Sequence, residues 1–277
     1  MINPRIFIED VEVGSKVEEY GILFDNMDDV ILSINLLSVH SKNFFEYEED
    51  EDFQIISVLN GMNGYKEDDL RDLFKVNVKD EVGKTERMMN LIYFYILSET
   101  IRNPIFEEVA IWGNFPSSSG AENESMVFLK EALRVTHGKK IKKQMLIRNQ
   151  KSPKKHVTSK GARLQRKCSI DFQTIIVNSD LKKSIKGKVV CIIDDYCTNG
   201  YSSEAAKHLL LKAGAKKVIV LTVGKYTYGY YTTNYELTGN VFSEGALTFK
   251  FLDEKTIQYQ TKDTSLEIKN LEKLFGF

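Results

Sequence analysis

Two adjacent carboxylates, Asp194 and Asp195, follow an apolar run at Val189–Ile193. A short polar segment, Thr198–Ser202, comes soon after them, with a glycine at its centre and hydroxyl or amide side chains around it. Neighbouring carboxylates accept hydrogen bonds from the vicinal hydroxyl groups of a sugar, and backbone amides at the start of a helix bind phosphate. The order of these residues therefore predicts a site for a phosphorylated sugar.

The surrounding pattern predicts the elements that position this site. Val189–Ile193 is typical of a buried strand, a helix is predicted over Ser203–Ala213, and Lys217–Val223 reads as another buried strand. Further elements are predicted at 54–59, 86–101, 109–112, 123–134, 144–148 and 174–177. Apolar runs that alternate with helices indicate an α/β fold with a parallel twisted sheet flanked by helices. Ligands of such sheets bind at the carboxyl ends of the strands, where the carboxylates lie.

The segment 189–202, Val-Val-Cys-Ile-Ile-Asp-Asp-Tyr-Cys-Thr-Asn-Gly-Tyr-Ser, resembles the phosphoribosyl pyrophosphate motif of type I phosphoribosyltransferases. That motif has four hydrophobic residues, two acids, two variable positions, Thr-Thr-Gly, a variable position and Thr. Asn199 replaces the second Thr and Ser202 the last, and both keep hydrogen-bonding groups. An Asp pair after an apolar strand also occurs in receiver domains and in magnesium-dependent phosphatases, which lack the Thr-x-Gly-x-Ser segment.

The resemblance covers roughly residues 105–225 and implies the type I phosphoribosyltransferase fold. It implies that Asp194 and Asp195 hold the ribose hydroxyls. The 5-phosphate would be bound by Thr198, Asn199, Gly200, Tyr201 and Ser202. The turn-rich segment after the predicted strand 109–112 lies where this family places its pyrophosphate loop, formed here by Pro116, Ser117, Ser118, Ser119 and Gly120. Amides of a strand-to-helix turn can hold such a second anion, although Ser/Gly turns are also common in other proteins.

Residues 130–167 carry 14 Lys/Arg and one acid, Glu131, which favours an anionic ligand. Leu146–His156 is similar to the flexible loop of orotate-type phosphoribosyltransferases, and Arg163–Lys167 loosely resembles the Arg-rich segment of the ComF-like branch. The first resemblance implies that cations of this loop handle pyrophosphate, namely Arg148, Lys151, Lys154 and Lys155, with His156 as a proton carrier. An exposed histidine without a role is the alternative for His156.

Charge divides the chain. Residues 1–110 hold 24 Asp/Glu and 10 Lys/Arg, and the remainder holds 15 and 28. We predict an acidic N-terminal α/β extension at 1–104, of unknown role, and a phosphoribosyltransferase-like domain at 105–277 with a C-terminal hood. Either the opposite charges of the two lobes are complementary to each other, or the basic lobe binds anions. Tyr226, Tyr228, Tyr230 and Tyr231 either stack on a base or pack ordinarily. The acidic run 46–52 is predicted to be a solvated loop.

The sequence holds no stretch of roughly 18–20 apolar residues and its first residues lack a signal pattern, so a cytoplasmic protein without a membrane partner is expected. Three cysteines, Cys168, Cys191 and Cys197, lack metal-ligand spacing and are predicted to be reduced thiols.

The predicted function is a glycosyltransferase of nucleotide metabolism that binds phosphoribosyl pyrophosphate with Mg²⁺ and transfers ribose 5-phosphate to or from a nitrogenous base, as a homodimer. Mg²⁺ would be held mainly by substrate oxygens and water, with Asp194 and Asp195 contacting it through water. One alternative is a catalytically weak sensor or effector subunit of a multi-protein system, such as a bacterial defence complex. Another is a nucleic-acid-binding accessory protein.

Overall fold

The computed structural model describes residues 45–49, 51–60, 93, 96–97, 99–152, 167–225 and 229–258. The predicted loop residues Lys154, Lys155 and His156 lie outside these ranges, as do Tyr226 and Tyr228. Most of the predicted extension, including residues 1–44, also lies outside them.

A five-stranded sheet forms the centre of the molecule. Its strands are β1 (Phe45–Glu49), β2 (Phe53–Asn60), β3 (Val109–Asn114), β6 (Val189–Cys197) and β7 (Lys217–Lys225), in the order β1-β2-β7-β6-β3. Strands β2, β7, β6 and β3 are parallel, and only β1 runs antiparallel, at one edge. The expectation of an α/β fold with a mainly parallel sheet flanked by helices is thus confirmed.

The central strands owe their position to continuous apolar runs. Val190, Ile192, Val218 and Val220 share one hydrophobic cluster with Ala205, Ala206 and Leu209 of a helix, α4 (Tyr201–Lys212). Side chains alternate between the faces of a strand, so the intervening residues face the other side. There Trp112 stacks with His137, which ends the helix α1 (Glu124–Thr136). Both faces are therefore covered, as a parallel sheet requires.

Part of the predicted N-terminal extension belongs to this central sheet. Strand β2 pairs along its length with β7, and Phe53 and Ile55 are fully buried. The acidic run 46–52 was predicted to be a loop, which is wrong for residues 46–49, because these belong to the edge strand β1. Glu46 and Glu48 point to solvent there, and charged side chains are well tolerated on an edge strand.

Two smaller sheets lie beside the central one. Strands β4 (Leu146–Arg148) and β5 (Ile175–Val177) pair antiparallel, and β8 (Tyr230–Gly239) and β9 (Leu247–Ile257) form a hairpin. The short helices α2 (Ser169–Thr174) and α3 (Lys182–Ile185) connect them to the core. Residues 230–257 of the predicted hood are this hairpin, which packs on α4.

Within the described ranges no helix is both long and apolar enough to cross a membrane. The three cysteines are buried and are not joined in a disulfide. Burial raises the pKa of the Cys197 thiol to about 11, so this side chain is neutral and poorly nucleophilic near pH 7.

Candidate functional site

The aspartate pair lies inside strand β6. The apolar run predicts a strand that ends at Ile193, but β6 continues to Cys197, with Asp194 in register with Thr222 of β7. Each carboxylate accepts a hydrogen bond from the next amide: Asp194 Oδ1 from the Asp195 amide at 3.0 Å, and Asp195 Oδ1 from the Tyr196 amide at 2.6 Å. Both residues are half-buried. Since successive side chains of a strand point to opposite faces, the two carboxylates do not lie side by side.

The bend after β6 is shorter than predicted and enters its helix earlier. Thr198, Asn199 and Gly200 form the bend, while Tyr201 and Ser202 already belong to the first turn of α4. Gly200 has a φ of 89° and is the N-cap residue of α4. A glycine has no side chain to cap the helix, so α4 begins without a side-chain cap from its own N-cap residue.

Two carbonyl groups of the bend are held by donors from other strands. Lys225, a fully buried residue at the end of β7, donates from Nζ to the Thr198 carbonyl at 3.0 Å. The Tyr231 amide donates to the Asn199 carbonyl at 3.0 Å. In a trans peptide the C=O and the following N–H point in opposite directions. Fixing these carbonyls therefore fixes the direction of the Asn199 and Gly200 amides.

The ring of Tyr230 covers one side of the bend. A Cβ atom at Gly200 would lie 2.3 Å from Tyr230 Cε2, so the backbone and the ring are in direct contact. Tyr230 is fully buried and donates its hydroxyl hydrogen to Glu204 Oε1 at 2.6 Å. The suggestion that Tyr230 stacks on a base is therefore wrong. Tyr231, which is half-buried, stacks with Tyr201 at 5.7 Å between ring centroids.

Buried charges attach α4 to its neighbours. Glu204 Oε2 accepts from Lys207 Nζ at 2.6 Å and from the Thr233 amide at 2.8 Å, and Lys207 also reaches Glu49 of β1 at 2.5 Å. Burial raises the pKa of Glu204, with Lys207 working against this shift. Burial opposes the charged form of Lys207 as well, yet the carboxylates of Glu204 and Glu49 raise its pKa. No sequence motif marks this network, because its members come from β1, α4 and β8.

The predicted pyrophosphate loop follows β3 at the carboxyl ends of the parallel strands, as the bend follows β6. The Phe115 amide donates to the Ile193 carbonyl at 2.8 Å, which joins the start of this loop to β6 next to Asp194. Gly120 takes a φ of 77°, and a Cβ there would meet only the Arg148 carbonyl, at 3.7 Å. The two predicted anion-binding segments, 116–120 and 198–202, thus follow the neighbouring parallel strands β3 and β6 at the same end of the sheet.

Arg148 donates hydrogen bonds to carbonyl groups of this loop. Its Nε donates to the Ser117 carbonyl at 2.7 Å, and its Nη2 donates to the Pro116 carbonyl at 3.3 Å and to Asp171 Oδ1 at 3.0 Å. Nη1 donates to Thr174 Oγ1 at 2.5 Å. The Arg148 side chain is 1% exposed and the Asp171 side chain is buried completely. Arg148 was predicted to contact pyrophosphate, but here it orients the loop that would do so.

Buried polar atoms without hydrogen-bond partners lie at the base of the same loop. In the part of the chain that the structure describes, they include Asn114 Oδ1 at the end of β3 and both amide atoms of Asn149, directly after Arg148. Thr222 Oγ1, in register with Asp194, is a further example. Unsatisfied buried groups are uncommon and are often completed by water or a ligand. Sequence reasoning missed Asn114 and Asn149, since single asparagines carry no pattern.

Among the described residues no group of three or more His, Cys, Asp or Glu side chains could enclose a metal ion. Of the predicted site residues that the structure describes, Asp194 and Asp195 are the carboxylates that could contact an ion there. This fits an ion such as Mg²⁺, which is commonly held by one or two carboxylates together with water and substrate oxygens. Comparison of the chain with protein-family models and with curated protein sequences finds no match.

Proposed function

We propose that this protein is a phosphoribosyltransferase that binds phosphoribosyl pyrophosphate at the carboxyl edge of the sheet. The observation that carries the proposal is the bend at Gly200. Its two preceding carbonyls are held by Lys225 and Tyr231, and the helix α4 starts there without a side-chain cap. The start of a helix presents backbone amides and a positive dipole end, which suit a phosphate group.

The first helix provides a contrast that supports α4 as the proposed phosphate site. Asn123, the N-cap residue of α1, accepts a hydrogen bond from the Met126 amide at 3.3 Å, so this helix start is closed by its own side chain. The segment before it, Pro116–Gly120, has its carbonyls fixed by Arg148 and Ser152 instead. In the proposal the 5-phosphate binds at α4, and the pyrophosphate binds the amides of this neighbouring segment.

The ribose would lie between these two anion sites, across the ends of β3 and β6. Asp194 or Asp195 would accept hydrogen bonds from its hydroxyl groups through the carboxylate oxygen that does not accept an amide. Mg²⁺, when bound, neutralises charge on the pyrophosphate leaving group, with these aspartates contacting it through water. Because the two carboxylates face opposite sides of the strand, we expect one of them to serve the sugar more than the other.

Catalysis by this arrangement rests on electrostatic positioning. Loss of pyrophosphate develops positive charge at the anomeric carbon and negative charge on the leaving group, and prearranged amides stabilise the second. Arg148 contributes by fixing the orientation of those amides. Lys154, Lys155 and His156 are proposed to close over the reacting groups and to exclude water.

The test is pyrophosphate release from phosphoribosyl pyrophosphate with Mg²⁺, measured across a panel of nitrogenous bases. We expect release with at least one base, and a loss of roughly 10²-fold or more in the Asp194→Asn and Asp195→Asn variants if their charge acts in the transition state. Asp180→Asn is the control, since Asp180 lies on the surface and pairs with Lys143. Release that is unchanged in both aspartate variants would overturn the assignment of the site.

A role in binding without turnover is the second candidate, and the engagement of Arg148 favours it. Because its guanidinium is committed to four protein acceptors, Arg148 is not available to contact the leaving group. Saturable, magnesium-dependent binding of phosphoribosyl pyrophosphate without release, for every base of the panel, would identify a sensor. The same aspartate substitutions would then weaken binding, and neither the unaltered protein nor the variants would release pyrophosphate.

A further inference from the structure

A basic surface lies at the amino ends of strands β6 and β7, and the proposed site lies at the carboxyl ends of the parallel strands. Segments 181–188 and 212–217 contain seven lysines and no Asp or Glu. The two segments touch through their backbones, because the Gly187 amide donates to the Gly214 carbonyl at 2.7 Å and the Lys216 amide to the Lys188 carbonyl at 2.8 Å. Strands β6 and β7 start here, so the surface lies roughly 25 Å from the end of β6.

Six of these lysines are exposed: Lys182, Lys183, Lys186, Lys188, Lys212 and Lys216. We call them the basic edge. Within the described ranges none of the six forms an ion pair, whereas the seventh, Lys217, binds Glu48 at 2.8 Å. The neighbouring carboxylate of Asp180 forms an ion pair with Lys143, with 2.6 Å between Oδ2 and Nζ. The basic edge thus presents concentrated positive charge that nearby described acids do not neutralise.

Helix electrostatics explain only part of this arrangement. A lysine in the last turn of a helix is favourable, which accounts for Lys212 at the end of α4 and for Lys182 and Lys183 in α3. Lys188 and Lys216 precede strands and gain nothing from a helix dipole. Like charges placed close together repel one another, so this clustering costs stability unless an anion binds there.

The composition of the surface distinguishes between kinds of partner. Protein interfaces have an apolar centre and few lysines, whereas nucleic-acid interfaces are polar and strongly positive. Among the described residues the exposed large hydrophobic side chains are Ile147, Phe251 and Leu252, and none belongs to the basic edge. Aromatic side chains for base stacking are also absent from segments 181–188 and 212–217, which leaves phosphate contacts as the means of recognition.

We propose that the basic edge binds the phosphodiester backbone of a nucleic acid, independently of sequence and separately from the phosphoribosyl site. Each lysine that neutralises a phosphate releases a counterion, so the affinity falls steeply with salt. This activity does not depend on the proposed transferase function, because the two sites lie at opposite ends of the parallel strands.

The experiment measures binding of the full chain to labelled duplex DNA and to single-stranded RNA of mixed sequence, over a range of salt concentrations. We expect salt-dependent binding of at least one polymer, and the tighter one identifies the source of the backbone. Lys186→Gln/Lys188→Gln should reduce the slope of log affinity against log salt by about 0.7–0.9 per lost contact. Adding Lys183→Gln and Lys216→Gln should abolish binding near physiological salt.

Two controls make the result specific. Lys250→Gln/Lys255→Gln removes two exposed lysines of β9 and should leave binding unchanged. Lys154→Gln/Lys155→Gln tests the other lysine-rich segment and should also leave it unchanged. The proposal is overturned if neither polymer binds, if the quadruple variant still binds, or if the Lys154/Lys155 variant alone loses binding. Pyrophosphate release by the quadruple variant should equal that of the unaltered protein.

Discussion

The bend at Thr198–Gly200 leads directly into α4, whereas residues 121–123 separate the loop Pro116–Gly120 from α1. Both segments follow parallel strands at the same edge, and both have their carbonyls held by side chains or amides from elsewhere. The bend is packed against Tyr230 and its helix has no side-chain cap, while the loop is fixed by Arg148 and its helix is capped by Asn123. A rigid bend at the start of a helix suits the 5-phosphate, which stays bound during the proposed reaction. A loop that is held through its carbonyl groups suits the pyrophosphate, which leaves.

The largest difference should appear when the glycine of each segment is replaced. Gly200→Ala places a Cβ 2.3 Å from Tyr230 Cε2, whereas Gly120→Ala, with a similar positive φ, meets nothing closer than 3.7 Å. Displacement of the bend should lower the affinity for phosphoribosyl pyrophosphate by about 10²-fold or more. Gly120→Ala should cost about 1–2 kcal/mol of stability and little affinity. Calorimetric titration of both variants checks this, and equal losses would show that the two segments do not differ as described.

Arg148→Met should destabilise the fold strongly, because it removes a buried cation that pairs with the completely buried Asp171 carboxylate. The expected loss is about 3–5 kcal/mol of unfolding free energy, measured by denaturant titration. Lys143→Met removes the exposed ion pair with Asp180 and should cost about 0–1 kcal/mol. If Arg148 instead contacts pyrophosphate directly, its removal will weaken ligand binding while stability stays nearly unchanged.

A histidine at the end of α1 and another within α4 should make the fold less stable in acid. Burial lowers the pKa of His137, at the end of α1, to about 4, with a further contribution from Lys139. Burial, followed by Lys207, lowers that of His208 in α4 to about 4 as well. The unfolded chain binds these protons near pH 6.5, so stability is complete above that pH and falls toward pH 4, by up to about 1.4 kcal/mol per pH unit for each histidine. Unfolding curves of His137→Gln and His208→Gln should each show a weaker pH dependence, and an unchanged profile would contradict the burial of that ring.

The smallest effect concerns the cap of α1. Asn123→Ala should cost about 1 kcal/mol, because the Met126 amide loses its acceptor. Binding of phosphoribosyl pyrophosphate should remain the same, since this helix start is not assigned to the ligand. A thermal unfolding curve measures the first expectation and a titration measures the second. A marked loss of affinity would place the ligand at α1 instead of α4.

The strands and helices of the core followed from the sequence because their signals are local. Apolar runs predicted the first residues of β6 and β7, although both strands continue beyond the predicted ends, and the helix predicted over 123–134 is α1 at Glu124–Thr136. The strand β1 was missed because its charges are typical of a loop, and only pairing with β2 makes them a strand.

The geometry of the site depended on contacts distant in sequence, which explains why it was predicted less well. Arg148 was recognised as important, but its partners Asp171 and Pro116 lie 23 and 32 residues away. For Tyr230 the sequence left stacking on a base and ordinary packing open, and in the structure its ring fills the space that Gly200 leaves. Such complementary shapes appear only when the chain is folded.

The central claim is that a sugar phosphate binds at the Gly200 bend. The most direct measurement is a crystal structure with phosphoribosyl pyrophosphate and Mg²⁺, in which phosphate oxygens should lie about 3 Å from backbone amides of residues 199–202. A 5-phosphate bound at another surface, such as the basic edge, or a bend whose amides contact no phosphate oxygen, would contradict the account.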